Sequence, residues 1–194
     1  MKTAALIITK ILNPATTTFA TLAIATLIQQ IPVNQKIWWL FLGFLLSLVP
    51  MAVLYFEYKK GTISSLWSPT AIERRNSYLA WVVIAAIFSV AAFWQEAPRL
   101  ITALGLVFLG LGIVNLFATA GFKISIHSQL VTLFVITAIL SVSVGLIYLV
   151  LLIPLVAWAR LYLKAHTFSE AIFGILVAIL TVYFVFSFFG LATF

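Results

Sequence analysis

No cysteine occurs anywhere in the chain. A disulfide framework and a Cys-ligated metal site are therefore both excluded, and the sequence carries no sign of redox compartment. Carboxylates are almost as scarce: four acidic residues stand against eleven Lys and Arg, with two histidines. Zinc and calcium sites draw on several such ligands brought together. With so few to draw on, no metal-ligand set is legible and no cofactor is expected. Charge of either sign is thin, at 8% of residues, where soluble domains carry about 25%. Linkers, low-complexity tracts and convincing internal repeats are missing too, so residues 1–194 read as a single domain.

What the chain has instead is apolar length. Hydrophobic residues make up 64% of the 194, and the mean hydropathy is +1.23. A soluble domain of this size has too little interior to hide that much apolar surface. A hydrocarbon core about 30 Å thick asks for about 20 consecutive apolar residues per helix. With Pro, Gly and charge as punctuation, such segments fall near Pro14–Gln30, Ile37–Tyr58, Ser77–Trp94, Leu100–Ala120, His127–Val142, Leu146–Ala165 and Ala171–Leu191. The expected fold is all-α, a polytopic transmembrane helical bundle of six or seven spans. Two breaks are open at this level. Asn13-Pro14 either starts the first span or kinks a longer helix that begins near Ala4, and a tight turn near Ser143-Val144-Gly145 divides an apolar run too long for one span. Lys2 and Lys10 precede an apolar stretch as in a secretory signal, but Asn13 and Pro14 interrupt it early, so a retained first helix is expected. Trp38, Trp39, Trp67, Trp81, Trp94 and Trp158 fall at or near predicted helix ends, where an interfacial aromatic belt would put them.

The net charge of +7 does not point to nucleic acid, because the cations sit in short gaps between apolar runs, where membrane topology and anionic lipid account for them. Seven spans place Lys2, Lys10, Lys59, Lys60, Arg74, Arg75, Lys123, Arg160 and Lys164 on one face and only Lys36 and Arg99 on the other. The positive-inside rule then puts the rich face in the cytoplasm of a cell (inner) membrane protein. Leaving out Arg74, Arg75, Lys123 and Arg160 as site candidates still gives five against two.

Ionisable residues close to a membrane core are expensive and mark candidate sites. Both histidines lie on the basic face: His127 in Lys123-Ile124-Ser125-Ile126-His127, and His166 in Arg160-Leu161-Tyr162-Leu163-Lys164-Ala165-His166-Thr167-Phe168-Ser169-Glu170. If the second segment is helical, His166 and Glu170 share a face. A carboxylate there holds one imidazole nitrogen as N–H and leaves the other free as base or nucleophile. Arg160, at the end of a span, brings a permanently charged fork suited to phosphate. The bland readings are a helix-boundary Lys at 123, a solvated Glu73-Arg74-Arg75 loop, Lys59 and Lys60 as topology anchors, Asn115 bonding across helices, Glu57 as a helix-end charge, and Gly105, Gly110 and Gly112 as close helix contacts.

The second segment resembles the third signature of the type 2 phosphatidic acid phosphatase superfamily, S-R-x5-H-x3-D, with Ala159 for Ser and Glu170 for Asp. Ser125-Ile126-His127 resembles the core of its second signature. Gly61-Thr62-Ile63-Ser64-Ser65-Leu66 followed by Glu73-Arg74-Arg75 is similar to the loop of a compact bacterial branch, which tends to have His-Pro where Asn13-Pro14 stands here. Thr70, Ala71, Ile72 and Ser77 depart from that loop's D, R, K and P. The resemblance implies a membrane lipid substrate, a lipid phosphate or polyprenyl diphosphate, cleaved without a metal through a phosphohistidine. His166 would be the nucleophile, His127 the general acid and Glu170 the group that orients His166, while Arg160, Ser125, Lys123 and one or both of Arg74 and Arg75 would bind phosphoryl oxygens. A protein that kept the pocket but lost turnover, a lipid-phosphate binder or transporter, is the alternative. A solute transporter would want more polar residues at mid-span than Asn115 and scattered Ser and Thr supply.

Overall fold

The computed structural model describes residues 1–66 and 70–191, and these contain helices and no strand. The α-helices are α1 (Lys2–Ile11), α2 (Pro14–Leu27), α3 (Val33–Lys59), α4 (Arg75–Trp94), α5 (Arg99–Ala118), α6 (Ile126–Ser141), α7 (Leu152–Tyr162) and α8 (Phe168–Phe188). Short 3₁₀ segments, Ile72–Arg74 and Val144–Leu151, lead into α4 and α7.

Asn13-Pro14 turns out to be a full helix break. Proline has no N–H to lose at a first helical position; the Asn13 carboxamide oxygen accepts from Thr16 N–H at 3.0 Å, and its nitrogen donates to the Lys10 carbonyl at 2.7 Å. One side chain thus closes α1 and opens α2. The second open break is the expected turn: α6 ends at Ser141, and Ser143, extended, caps the next segment by accepting from Gly145 N–H at 3.1 Å.

Five segments are long and apolar enough to cross a membrane: Val33–Lys59, Ile72–Trp94, Arg99–Ala118, Val144–Tyr162 and Phe168–Phe188. The shorter apolar helices α2 and α6 bring the set to the seven segments read from the sequence. Their outward faces are greasy, as lipid requires: Leu79, Val83, Ile87 and Val90 form an exposed stripe down α4. Bilayer-facing helices of this kind make the chain a multi-pass membrane protein.

Helices α2, α3, α4, α5, α8 and α6 pack successively and close on α2, with α7 against α6 and α1 against α7. Phe88, Leu104, Phe108, Leu111 and Leu133 fill the centre. Gly105 and Gly112 bring α5 close to α4, since an added Cβ would meet Phe88 and Ser89 at 3.0 Å, or Val82 at 3.1 Å. Asn115 does bond across helices, donating to Gln129 Oε1 on α6 at 2.7 Å. The tryptophans divide. Trp94 is exposed at the end of α4 and Trp38 half-exposed near the start of α3, but Trp39 and Trp81 are buried in the core, where their area does more than an interfacial position would. Trp67 lies outside the described residues.

Candidate active site

The starts of α2, α4, α6 and α8 and the ends of α3, α5 and α7 meet at one end of the bundle, and every site residue read from the sequence belongs to it. Three features bring the two histidine segments together. Ser125 N–H donates to the Glu170 carbonyl at 3.2 Å. Lys123 Nζ donates to the Ala165 carbonyl at 3.1 Å. Gly174, nearly two turns into α8, lies so close to Ser125 that a Cβ there would sit 2.6 Å from the Ser125 carbonyl oxygen. The turn before α6 is therefore clamped onto the turn before α8.

Local sequence folds the second turn back toward the bundle. After α7, Ala165 N–H reaches the Arg160 carbonyl at 3.0 Å, with Lys164 between them at φ +54°. That is a Schellman closure with a lysine in the left-handed position that glycine usually takes. Thr167 then starts α8 with a capping box: its hydroxyl accepts from Glu170 N–H, and the Glu170 carboxylate accepts from Thr167 N–H, both at 3.3 Å. The carboxylate oxygen that takes part in this box, Oε2, also lies 2.7 Å from His166 Nδ1. Glu170 thus serves the helix start and the imidazole at once. The Thr167-Phe168-Ser169-Glu170 spacing is the sequence signal for the cap.

His166 is buried, and its Nε2 has no hydrogen-bond partner. Burial first, and then the Arg74, Arg160 and Lys123 charges, push its pKa from 6.5 down to about 2. At neutral pH the ring is uncharged; Nδ1–H donates to Glu170, and the Nε2 lone pair stays free. His127, at the start of α6, is also buried with an unpartnered Nε2, and each ring lies within electrostatic reach of the other. Lys123 is half-buried, and burial with the nearby Arg74 holds its pKa below the usual lysine value.

Of the two loop arginines, Arg74 turns inward. It is buried, its guanidinium donates to Tyr78 Oη at 3.5 Å, and its Nε has no partner. Arg75, the next residue, is exposed rather than buried with it. Arg160, at the end of α7, is 2% exposed. Ser125 is fully buried, its hydroxyl 3.0 Å from that of Ser128.

Two residues outside the predicted set shape this end. Glu73 is no solvated partner of the arginines: one oxygen accepts from Ser64 N–H at 2.6 Å, and the other accepts from Thr70 N–H at 2.6 Å and from the Ser64 hydroxyl at 3.1 Å. It gathers the ends of the loop beside Arg74. Tyr78 supplies the contact that aims Arg74. Glu57 accepts from Asn76 Nδ2 at 2.6 Å, as a helix-end charge meeting its neighbour. Among the described residues, no group of three or more His, Cys, Asp or Glu is arranged to hold a metal.

Chemically, the arrangement offers a neutral imidazole with a free lone pair, a second imidazole close by, and three cations to receive an anion. No protein-family model, curated protein or solved structure matches the chain.

Proposed function

We propose that the protein is an integral membrane phosphatase that cleaves a lipid phosphate or isoprenoid diphosphate through a phosphohistidine, without a metal. The observation that carries this reading is His166: one nitrogen engaged by Glu170 at 2.7 Å, the other buried and unpartnered, with Arg74, Arg160 and Lys123 around it. Phosphoryl transfer asks mainly for positioning and for charge that stabilises the equatorial oxygens.

In the proposed reaction the His166 Nε2 lone pair attacks phosphorus, and the bond from phosphorus to the leaving oxygen breaks. His127, protonated in the company of the bound phosphoryl dianion, gives its proton to that oxygen. Water then attacks the phosphohistidine and loses a proton to His127, and the P–N bond breaks to release inorganic phosphate. Arg74, Arg160, Lys123 and Ser125 hold the phosphoryl oxygens. The location, one end of a bilayer-spanning bundle, suits a head group presented from the membrane; the nine-to-two distribution of cations supports a cytoplasmic position for this end.

Detergent-purified protein should release phosphate from a lipid phosphate or a polyprenyl diphosphate in the presence of EDTA, and His166→Ala should abolish it. Undiminished release by that variant would remove the mechanism. A second reading, a lipid-phosphate binder without turnover, is favoured by one observation: Arg75 faces outward and the Ser77 hydroxyl is spent on the Pro50 carbonyl at 2.8 Å. From the arginine loop, only Arg74 then serves the site. Saturable binding of a lipid phosphate with no phosphate release would decide for it.

A further inference from the structure

Between α2, α3, α4 and α6 lies a cavity of about 80 Å³ that Arg74 and His127 line and His166 and Arg160 do not. Two nitrogens of these lining residues, Arg74 Nε and His127 Nε2, are buried without hydrogen-bond partners. Four hydroxyls belong to the same walls, those of Thr18, Ser47, Ser77 and Tyr78; apolar side chains, Trp81 among them, make up the rest. The Ser47 and Ser77 hydroxyls give their protons to the Phe44 and Pro50 carbonyls at 2.8 Å, which leaves both oxygens as acceptors. Tyr78 Oη accepts from the Arg74 guanidinium at 3.5 Å and keeps its own hydrogen to donate. The polar part of the wall therefore mixes donors and acceptors, around a space with room for about five waters at about 10–15 Å³ each. An alkyl chain would leave these groups unpaired at a cost, and an anion would use the donors alone. Water can serve both kinds.

We infer that this cavity is the water store of the second half-reaction: it holds ordered water beside His127 and supplies the molecule that attacks the phosphohistidine. The inference rests on the phosphatase reading and gives its hydrolytic step a place. An in-line displacement needs the incoming oxygen opposite the nitrogen that leaves. With His127 on the cavity and His166 off it, water drawn from there arrives on the face that the first leaving group vacates. His127, having given up its proton to that group, is neutral and takes one from the water as the water oxygen bonds to phosphorus. The P–N bond breaks, and its electron pair returns to His166 Nε2. Thr18 and Ser47, further along the wall, hold the molecules behind the one that reacts.

The test uses the full-length protein in detergent micelles and has two arms. In the first, X-ray radiolysis in heavy-oxygen water turns bound water into hydroxyl radicals where it sits. Tyr78 and Trp81, buried residues of the cavity wall, should take up heavy oxygen, and Trp39, equally buried but packed on Phe88 in the core, should not. No label on Tyr78 and Trp81, or the same label on Trp39, would overturn the water site. In the second arm, Thr18→Val and Ser47→Ala each remove one hydroxyl from the wall. With dioleoyl phosphatidic acid radiolabelled on phosphorus and an alkaline quench, both variants should form phosphohistidine at the wild-type rate. Its loss to water should slow by about three- to tenfold, the effect of one hydrogen bond on a barrier, so that the intermediate accumulates. Decay at the wild-type rate in both variants would overturn the role. If no substrate is hydrolysed at all, the phosphatase reading falls and the role with it, while the radiolysis result still decides for or against the water site.

Discussion

Lowering the pH from about 7 to about 4.5 should destabilise the wild-type protein more than its His166→Asn variant. The His166 pKa lies at about 2 in the folded protein and 6.5 ordinarily. Between those values the unfolded chain binds a proton that the folded one refuses. Stability present above pH 6.5 is therefore lost as the pH falls toward 2. Each unit below 6.5 costs at most about 1.4 kcal/mol, so two units set a ceiling of about 3 kcal/mol. The Glu170 carboxylate at 2.7 Å works against this by welcoming a charged ring. The burial of the ring and three cations outweigh one carboxylate, leaving a net loss of about 1–2 kcal/mol on an order-of-magnitude reckoning.

Thermal unfolding in dodecyl maltoside, followed by tryptophan fluorescence at each pH, measures it. Groups common to both proteins, His127 and the other carboxylates among them, cancel in the difference between wild type and variant. A chain of this length should show about 2–4 °C of extra Tm loss per kcal/mol. Parallel losses in the two proteins would refute the reasoning. A wild type that gained on acidification relative to the variant would mean that Glu170 wins and the ring is charged in the fold, which would leave no free lone pair for attack.

Two further outcomes are expected. Gly174→Ala should cost about 1–3 kcal/mol in thermal unfolding and lower lipid phosphate turnover by about tenfold or more, because the new Cβ meets the Ser125 backbone oxygen at 2.6 Å and parts α6 from α8; Gly110→Ala, which meets only a Thr181 methyl at 3.3 Å, should do neither. Since the chain has no native cysteine, a membrane-impermeant maleimide on intact cells should label a cysteine placed at Gln95 and miss one placed at Lys60; the opposite pattern would invert the orientation drawn from charge.

The fold was legible to the extent that hydropathy and punctuation speak. The seven apolar segments correspond to seven helical segments of the bundle, and the turn at Ser143-Val144-Gly145 follows from the excess length of the run around it. Asn13-Pro14 stayed ambiguous because a proline can either kink or start a helix; what decides is the Asn13 side chain serving both flanking turns, a three-dimensional matter. Trp39 and Trp81 misled for a related reason. Proximity to a helix end in sequence says nothing about which way a ring faces, and both point into the core.

The candidate site was legible where its geometry is local. His166 and Glu170, four apart, do meet, but not on one helical face: His166 precedes the cap residue Thr167, and the capping box turns the Glu170 carboxylate back to the imidazole. What spacing could not reveal is the choice between Arg74 and Arg75, adjacent residues that a helical start necessarily turns to different sides, one buried and one exposed. Nor could it reveal Gly174, whose importance lies wholly in a backbone 49 positions away. These features bear on one another. Arg74 is buried near Arg160 and Lys123, a grouping whose mutual repulsion raises the cost of assembling this end of the bundle. The three carboxylates of the same end are engaged elsewhere or in part: Glu57 by Asn76, Glu73 by Ser64 and Thr70, Glu170 by His166 and Thr167. A surplus of positive charge held in place by clamps such as Ser125 to Glu170 and Lys123 to Ala165 is stabilised by an arriving anion. The packing that makes this end of the bundle costly to assemble is thereby what suits it to the phosphate group of the proposed substrate.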